Sequence, residues 1–200
     1  MSILVLTSDT LIGTPATGNL EYNGQFYGTD SNASRAQMQR ITQGTAVTCA
    51  GQTSIDFTGL PSWIKKISII FNGVSTSGTS GILVQVGDSG GIENTGYVSG
   101  TSNISSGAVG TLVTSTAGFV AMSVTAAAST NSGVVTLFTV GSNIWVATGT
   151  MYYSGTATFA VAGNKTLSDV LDRVRVTTIN GTDTFDTTPS AGSINILYEG

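Results

Sequence analysis

Apolar residues in this chain recur mainly at every second position, the period of a half-buried β-strand. In Arg173-Val174-Arg175-Val176-Thr177-Thr178 the valines fall on one face and the arginines on the other. Ile82, Val84 and Val86 alternate with Leu83 and Gln85, and Ile194, Ile196 and Tyr198 alternate with Ser193, Asn195 and Leu197. Ile67, Ile69 and Phe71 form another such face, and Ile70 opposite them implies a strand covered on both sides. Residues 3–7, 45–49, 53–57, 109–114, 119–125, 133–140, 143–148 and 150–161 read as further strands, rich in Val, Thr and aromatic residues and broken at short intervals by Gly, Ser or Asn. That rhythm predicts an all-β chain, an antiparallel β-sandwich of jelly-roll-like type.

Turn chemistry points the same way. Asn-Gly occurs at Asn23-Gly24, Asn72-Gly73 and Asn180-Gly181, and both residues tolerate the positive φ of a tight hairpin turn. Leu20 to Tyr27 is the clearest hairpin. Residues 32–41 have the make-up of a short helix with Ser31 or Asn32 as N-cap, and 166–172 of a single helical turn. The Ser/Thr/Gly-rich stretches 73–81 and 99–107 read as long loops. Too few elements precede residue 45 to hold a core of their own, so residues 1–44 are expected to form an N-terminal attachment or oligomerisation arm and 45–200 the sandwich. Leu20, Tyr22, Phe26 and Tyr27 are the candidate assembly interface of that arm.

Composition narrows the chemistry. The 200 residues include 26 Gly, no His, one Cys and only 9% charged residues, with a net charge of −4. Without an imidazole, histidine-based catalysis and histidine metal sites are excluded; with Cys49 alone, so is a disulfide framework. Lys65-Lys66 and Arg173/Arg175 are too sparse to neutralise many phosphates, so no nucleic-acid partner is expected. No apolar run approaches the ~20 residues that span a bilayer, so no membrane insertion is expected. Met1 to Leu6 lacks the basic start and small-residue cleavage site of a signal peptide, which predicts synthesis in a cytoplasm.

Gly87-Asp88-Ser89-Gly90-Gly91 spells the nucleophile pentapeptide of trypsin-like proteases, but that chemistry needs an imidazole to take the hydroxyl proton. It reads as a turn closing a strand. The pairs Asp169/Asp172 and Asp183/Asp186 could supply the two carboxyls a glycosidase uses, but they read first as turn caps that accept backbone hydrogen bonds. No Asp-x-Asp-x-Asp-Gly calcium loop is present. No enzyme, metal or cofactor is therefore expected. Tyr97, Trp145, Tyr152 and Tyr153 lie near loops and are candidate surface-binding aromatics, a role that competes with ordinary core packing. Adjacent Tyr152 and Tyr153 must face opposite sides of a strand.

Three stretches carry a family likeness. Gly18-Asn19-Leu20-Glu21-Tyr22-Asn23-Gly24 with Phe26-Tyr27-Gly28-Thr29-Asp30 resembles a "GxLEYdGxxfY.T" element of structural proteins of tailed bacteriophages. The run Ile55 to Ile67 with Phe71 to Thr76 is similar to an "IDFTGIPSWVKRI…FNGVST" segment of phage virion proteins. The stretches Leu171 to Asp186 and Ser193 to Glu199 resemble the same group. The resemblance implies a virion protein made in the host cytoplasm, which partners with itself as a homotrimer and with other virion proteins. Three roles are open: a tail-fibre or tip subunit binding host-surface glycan; a capsid decoration or head-fibre protein that staples shell subunits through residues 1–44; and a polysaccharide depolymerase using Asp183 and Asp186.

Overall fold

The computed structural model describes residues 10–11, 13–23, 25–105, 107–154 and 157–200, and every regular element among them is a β-strand. The strand expected over residues 3–7 lies outside the described residues. The chain divides into two compact units at Arg40/Ile41, a few residues before the boundary expected after residue 44.

The first unit is an antiparallel meander of β1 (Leu20–Tyr22), β2 (Phe26–Thr29) and β3 (Arg35–Gln37). Tyr22 stands opposite Phe26 in register, so the expected hairpin is present. The expected helix over 32–41 is not. Asp30, and not Ser31 or Asn32, takes the free amides, with its Oδ1 accepting from Asn32 N at 2.8 Å and Ser34 N at 2.9 Å. Together with Ala33 at φ 58°, this closes a tight turn and sends the chain back as β3. Arg35 on β3 then grips the buried Glu21 of β1 with two nitrogens, at 2.8 and 3.0 Å.

The second unit contains β4 (Ile41–Gln43), β5 (Val47–Thr48), β6 (Ser54–Thr58), β7 (Lys66–Val74), β8 (Ser80–Asp88) and β9 (Gly91–Ile92). These are followed by β10 (Val98–Ser105), β11 (Ala108–Val109), β12 (Val113–Ser115), β13 (Phe119–Val124), β14 (Asn131–Gly141) and β15 (Ile144–Tyr153). The last three strands are β16 (Ala157–Thr166), β17 (Arg173–Thr178) and β18 (Ser193–Glu199). A larger sheet runs β11-β10-β16-β15-β14-β7-β18-β4, with β12 also on β10 and β5 also on β18. A smaller sheet runs β13-β8-β17-β6, with β9 on β8. The buried core draws Ile67, Ile69, Phe71, Val135 and Leu137 from the larger sheet and Ile82, Val84, Val86, Val174 and Val176 from the smaller. These are the residues the two-residue period places inward, and the second unit is a β-sandwich.

The second unit departs from the sequence expectation at three places. The stretch 99–107 is mostly strand β10, because Ser99 and Thr101 turn inward and satisfy their hydroxyls on backbone: Val120 N donates to Ser99 Oγ at 2.9 Å and Thr101 Oγ1 donates to Ala160 O at 2.9 Å. The expected single helical turn at 166–172 is a loop, since the Glu93 carboxylate takes the Ser168 amide at 2.7 Å and Asp169 takes the Val170 amide at 2.7 Å. Asn72-Gly73 makes no hairpin. It sits inside β7, with Gly73 at φ 61° opposite an irregularity in the β14 ladder.

Candidate functional site

One end of the second unit holds a recess of about 210 Å³ lined by three segments far apart in sequence: the 61–65 connection before β7, the β14–β15 turn with Trp145, and Val170-Leu171. The β14–β15 turn is a two-residue hairpin. Gly141 pairs with Ile144, and Ser142 and Asn143 between them stand at φ 49° and 59°, the two left-handed positions that a type I′ turn demands. Two non-glycine residues in that region mark a stored strain, of a kind that clusters at binding sites.

Backbone bonds fix the walls. Thr139 N donates to Lys65 O at 3.0 Å, Lys65 N to Glu199 O at 2.7 Å and Leu167 N to Asn143 O at 3.0 Å. Trp145 follows the inward alternation of β15 and is only 4% exposed, yet it lines the recess. Its indole N–H makes no hydrogen bond among the described residues. Lys65, also lining the recess and exposed, makes no ion pair among the described residues, whereas neighbouring Lys66 is held by Glu199 at 2.8 Å. With the hydroxyls of Ser62, Thr139 and Ser142 nearby, the lining is rich in donors and carries one positive charge. It suits an oxygen-rich, negatively charged ligand.

The other singled-out residues divide sharply. Tyr97 is 1% exposed, packs edge-on against Phe119 with ring centroids 5.0 Å apart and anchors its hydroxyl on Val86; its expected surface role is corrected to a core one. Trp145 likewise cannot stack a ligand broadly, because its ring is covered by the core. Tyr152 and Tyr153 do face opposite sides: Tyr152 is 49% exposed on the outer face, while Tyr153 turns in against Phe159 at 6.4 Å. Both lie at the far end of β15 from Trp145. In the first unit Leu20 and Phe26 are exposed, Tyr22 and Tyr27 half-buried, and the rings of Tyr22 and Phe26 are 5.0 Å apart.

One carboxyl of each acidic pair is held by other groups. Asp183 caps backbone, accepting from Ser80 N at 3.0 Å and from Asn180 Nδ2 at 2.8 Å, and those two donors hold its carboxyl below the usual range. Asp172 is gripped by Arg173 at 2.6 Å. Asp88 of the protease-like pentapeptide accepts the Gly90 amide at 2.8 Å, closing the β8–β9 turn.

A polar clasp that the sequence did not announce joins this turn to the 167–172 loop. The Ser168 hydroxyl lies 2.6 Å from Asp88 Oδ2 and 2.8 Å from Glu93 Oε1, and the buried Lys165 is ion-paired with Glu93. The Ser168 hydroxyl and the Gly90 amide hold the Asp88 carboxyl below its ordinary range. Burial pushes Glu93 up, but Lys165 and the amide and hydroxyl of Ser168 together outweigh it, and Glu93 also sits low. Because Ser168 donates to carboxylates and Lys165 is committed to Glu93, the group acts as a fastening between segments.

Among the described residues no group of three or more His, Cys, Asp or Glu could hold a metal ion, and no helix is long and apolar enough to cross a membrane. Comparison of the chain with protein-family models, curated proteins and solved structures returns no significant match.

Proposed function

We propose that this chain is a non-enzymatic structural protein of a tailed-bacteriophage virion, a tail-fibre or tip subunit that binds acidic saccharide on the host surface through the recess at Trp145. The single observation that carries the binding role is the unpartnered indole N–H of a residue 4% exposed, set in a recess that also presents the unpaired ammonium of Lys65. The indole N–H has no protein partner to give up, so a ligand oxygen entering the recess can accept from it directly. The motif resemblance supports the virion assignment, and a β-sandwich with few titrating groups suits a particle exposed to changing surroundings.

The test is binding of the purified full chain to an array of bacterial surface glycans. Glycans bearing carboxylates should bind, and Trp145→Phe and Lys65→Met should each weaken binding roughly tenfold, the worth of one hydrogen bond or ion contact. Silence of the unmodified chain across acidic glycans, or undiminished binding by both variants, would sink the reading. A second role, capsid decoration, draws on the separate compactness of the unit ending at Arg40. In that case removing residues 1–40 should release the protein from particles, and full retention would speak against it.

A further inference from the structure

The two outer faces of the sandwich differ in one respect. On the smaller sheet, Asp56 of β6 pairs with Arg175 of β17 at 2.7 Å, and Arg173 projects beside it. On the larger sheet, the neighbouring strands β10, β16, β15 and β14 contain a single charged residue, Lys165, and that one is buried on the inner side against Glu93. The outer face of all four strands is therefore uncharged. Thr136, Thr148, Ala162 and Gly100 form one straight row across it. Phe138, Val146 and Tyr152 add apolar surface at 41%, 37% and 49% exposure. The first charge met at its margin is Lys66 on β7, already neutralised by Glu199.

Val98, Ile104, Val134, Phe138, Val146 and Tyr152 of these strands are exposed apolar side chains with no exposed charged residue among them, and exposed apolar surface of this kind marks a contact site. Four strands about 4.8 Å apart and ten residues long at about 3.3 Å each give roughly 600 Å². Two such faces pressed together bury roughly 1,200 Å², the lower bound for a specific and stable interface. Copies that each carry −4 repel through their charged surfaces, so this uncharged face, large enough for a specific dimer, is where two of them meet at least electrostatic cost. A highly charged partner would find nothing to pair with.

We propose that the outer face of β10, β16, β15 and β14 is where a second copy of this chain docks. The proposal does not depend on the Trp145 recess. It is tested by sedimentation of the full chain from micromolar to millimolar concentration, with matched variants that each add one negative charge: Thr148→Glu or Ala162→Glu on this face, and Thr58→Glu on the other. The unmodified chain and Thr58→Glu should self-associate, and the two face variants should be monomers with unchanged circular dichroism and unfolding midpoints. If one face variant misfolds, the other carries the test. A monomeric unmodified chain, or an oligomer that survives the glutamate in a folded face variant, overturns the proposal.

Discussion

The Tyr97 hydroxyl accepts the amide of Val86 at 2.8 Å and lies within donating reach of the Val86 carbonyl at 3.2 Å and the Glu93 carbonyl at 2.9 Å. One phenol thus holds the loop after β9 against the end of β8, inside the core. Tyr97→Phe keeps the ring and its contact with Phe119 but orphans a buried amide, which costs about 1–3 kcal/mol. Urea unfolding should show the loss at unchanged glycan binding, because Tyr97 is not part of the Trp145 recess.

Glu93→Gln removes the countercharge from Lys165, which is 5% exposed. Breaking a buried pair from one side is worth several kcal/mol; here about 2–3 kcal/mol is expected, since the Glu93 side chain keeps 22% exposure. Pairing the change with Lys165→Met should recover part of that loss, measurable as a double-mutant cycle in denaturation.

The pH profile follows from which groups are shifted. Asp88, Glu93 and Asp183 all sit below the ordinary carboxylate range, whereas in the unfolded chain they titrate near pH 4. On acidification the unfolded chain takes up protons first, so their stabilisation is complete above about pH 5 and is lost as the pH falls through the folded values. The chain has no His, so between roughly pH 5.5 and 8 the unfolding midpoint should stay flat. A step near pH 6.5 in thermal melts would contradict this.

Burial pushes the Cys49 thiol up to about 12, against about 8.5 unfolded. In the native protein it should ignore Ellman's reagent and be titrated fully in guanidinium chloride. Because the folded thiol stays protonated while the unfolded one ionises, stability should also decline as the pH rises past about 8.5.

Gly81 and Gly28 give a matched pair. A Cβ on Gly81 would run into the Met122 carbonyl and come 2.6 Å from the carbonyl carbon of Ser123, whereas one on Gly28 would meet nothing within 4 Å. Gly81→Ala must push β8 off β13 and should lower stability by about 1–3 kcal/mol. Gly28→Ala should be neutral or slightly stabilising, read from the same melts.

How much of this was legible in the sequence depends on the distance over which each cause acts. Val174 and Val176 between arginines announced β17, because alternation is a property of neighbours. β10 was hidden: Ser-Gly-Thr-Ser-Asn looks like a loop until Ser99 and Thr101 are seen to bond Val120 and Ala160. The helix pattern at 32–41 lost to a turn built by Asp30, a contest that propensity cannot judge. The Trp145 recess and the Ser168 clasp draw on segments tens of residues apart. A single chain records nothing of such encounters, and only the left-handed Ser142-Asn143 turn left a faint mark, in a dipeptide less telling than Asn-Gly.

The ladders of the second unit join remote parts of the chain. β6 pairs with β17, and β7 with β18, so Arg175 meets Asp56 across 119 residues and Lys66 meets Glu199 across 133. Long loops must close before these two ladders form, which makes assembly slow, on the order of milliseconds to seconds or longer. The same interlocking makes a native molecule slow to come apart, since no strand of β17 or β18 leaves without breaking ladders on both sides. Endurance of this chain would then be a matter of rates more than of equilibrium.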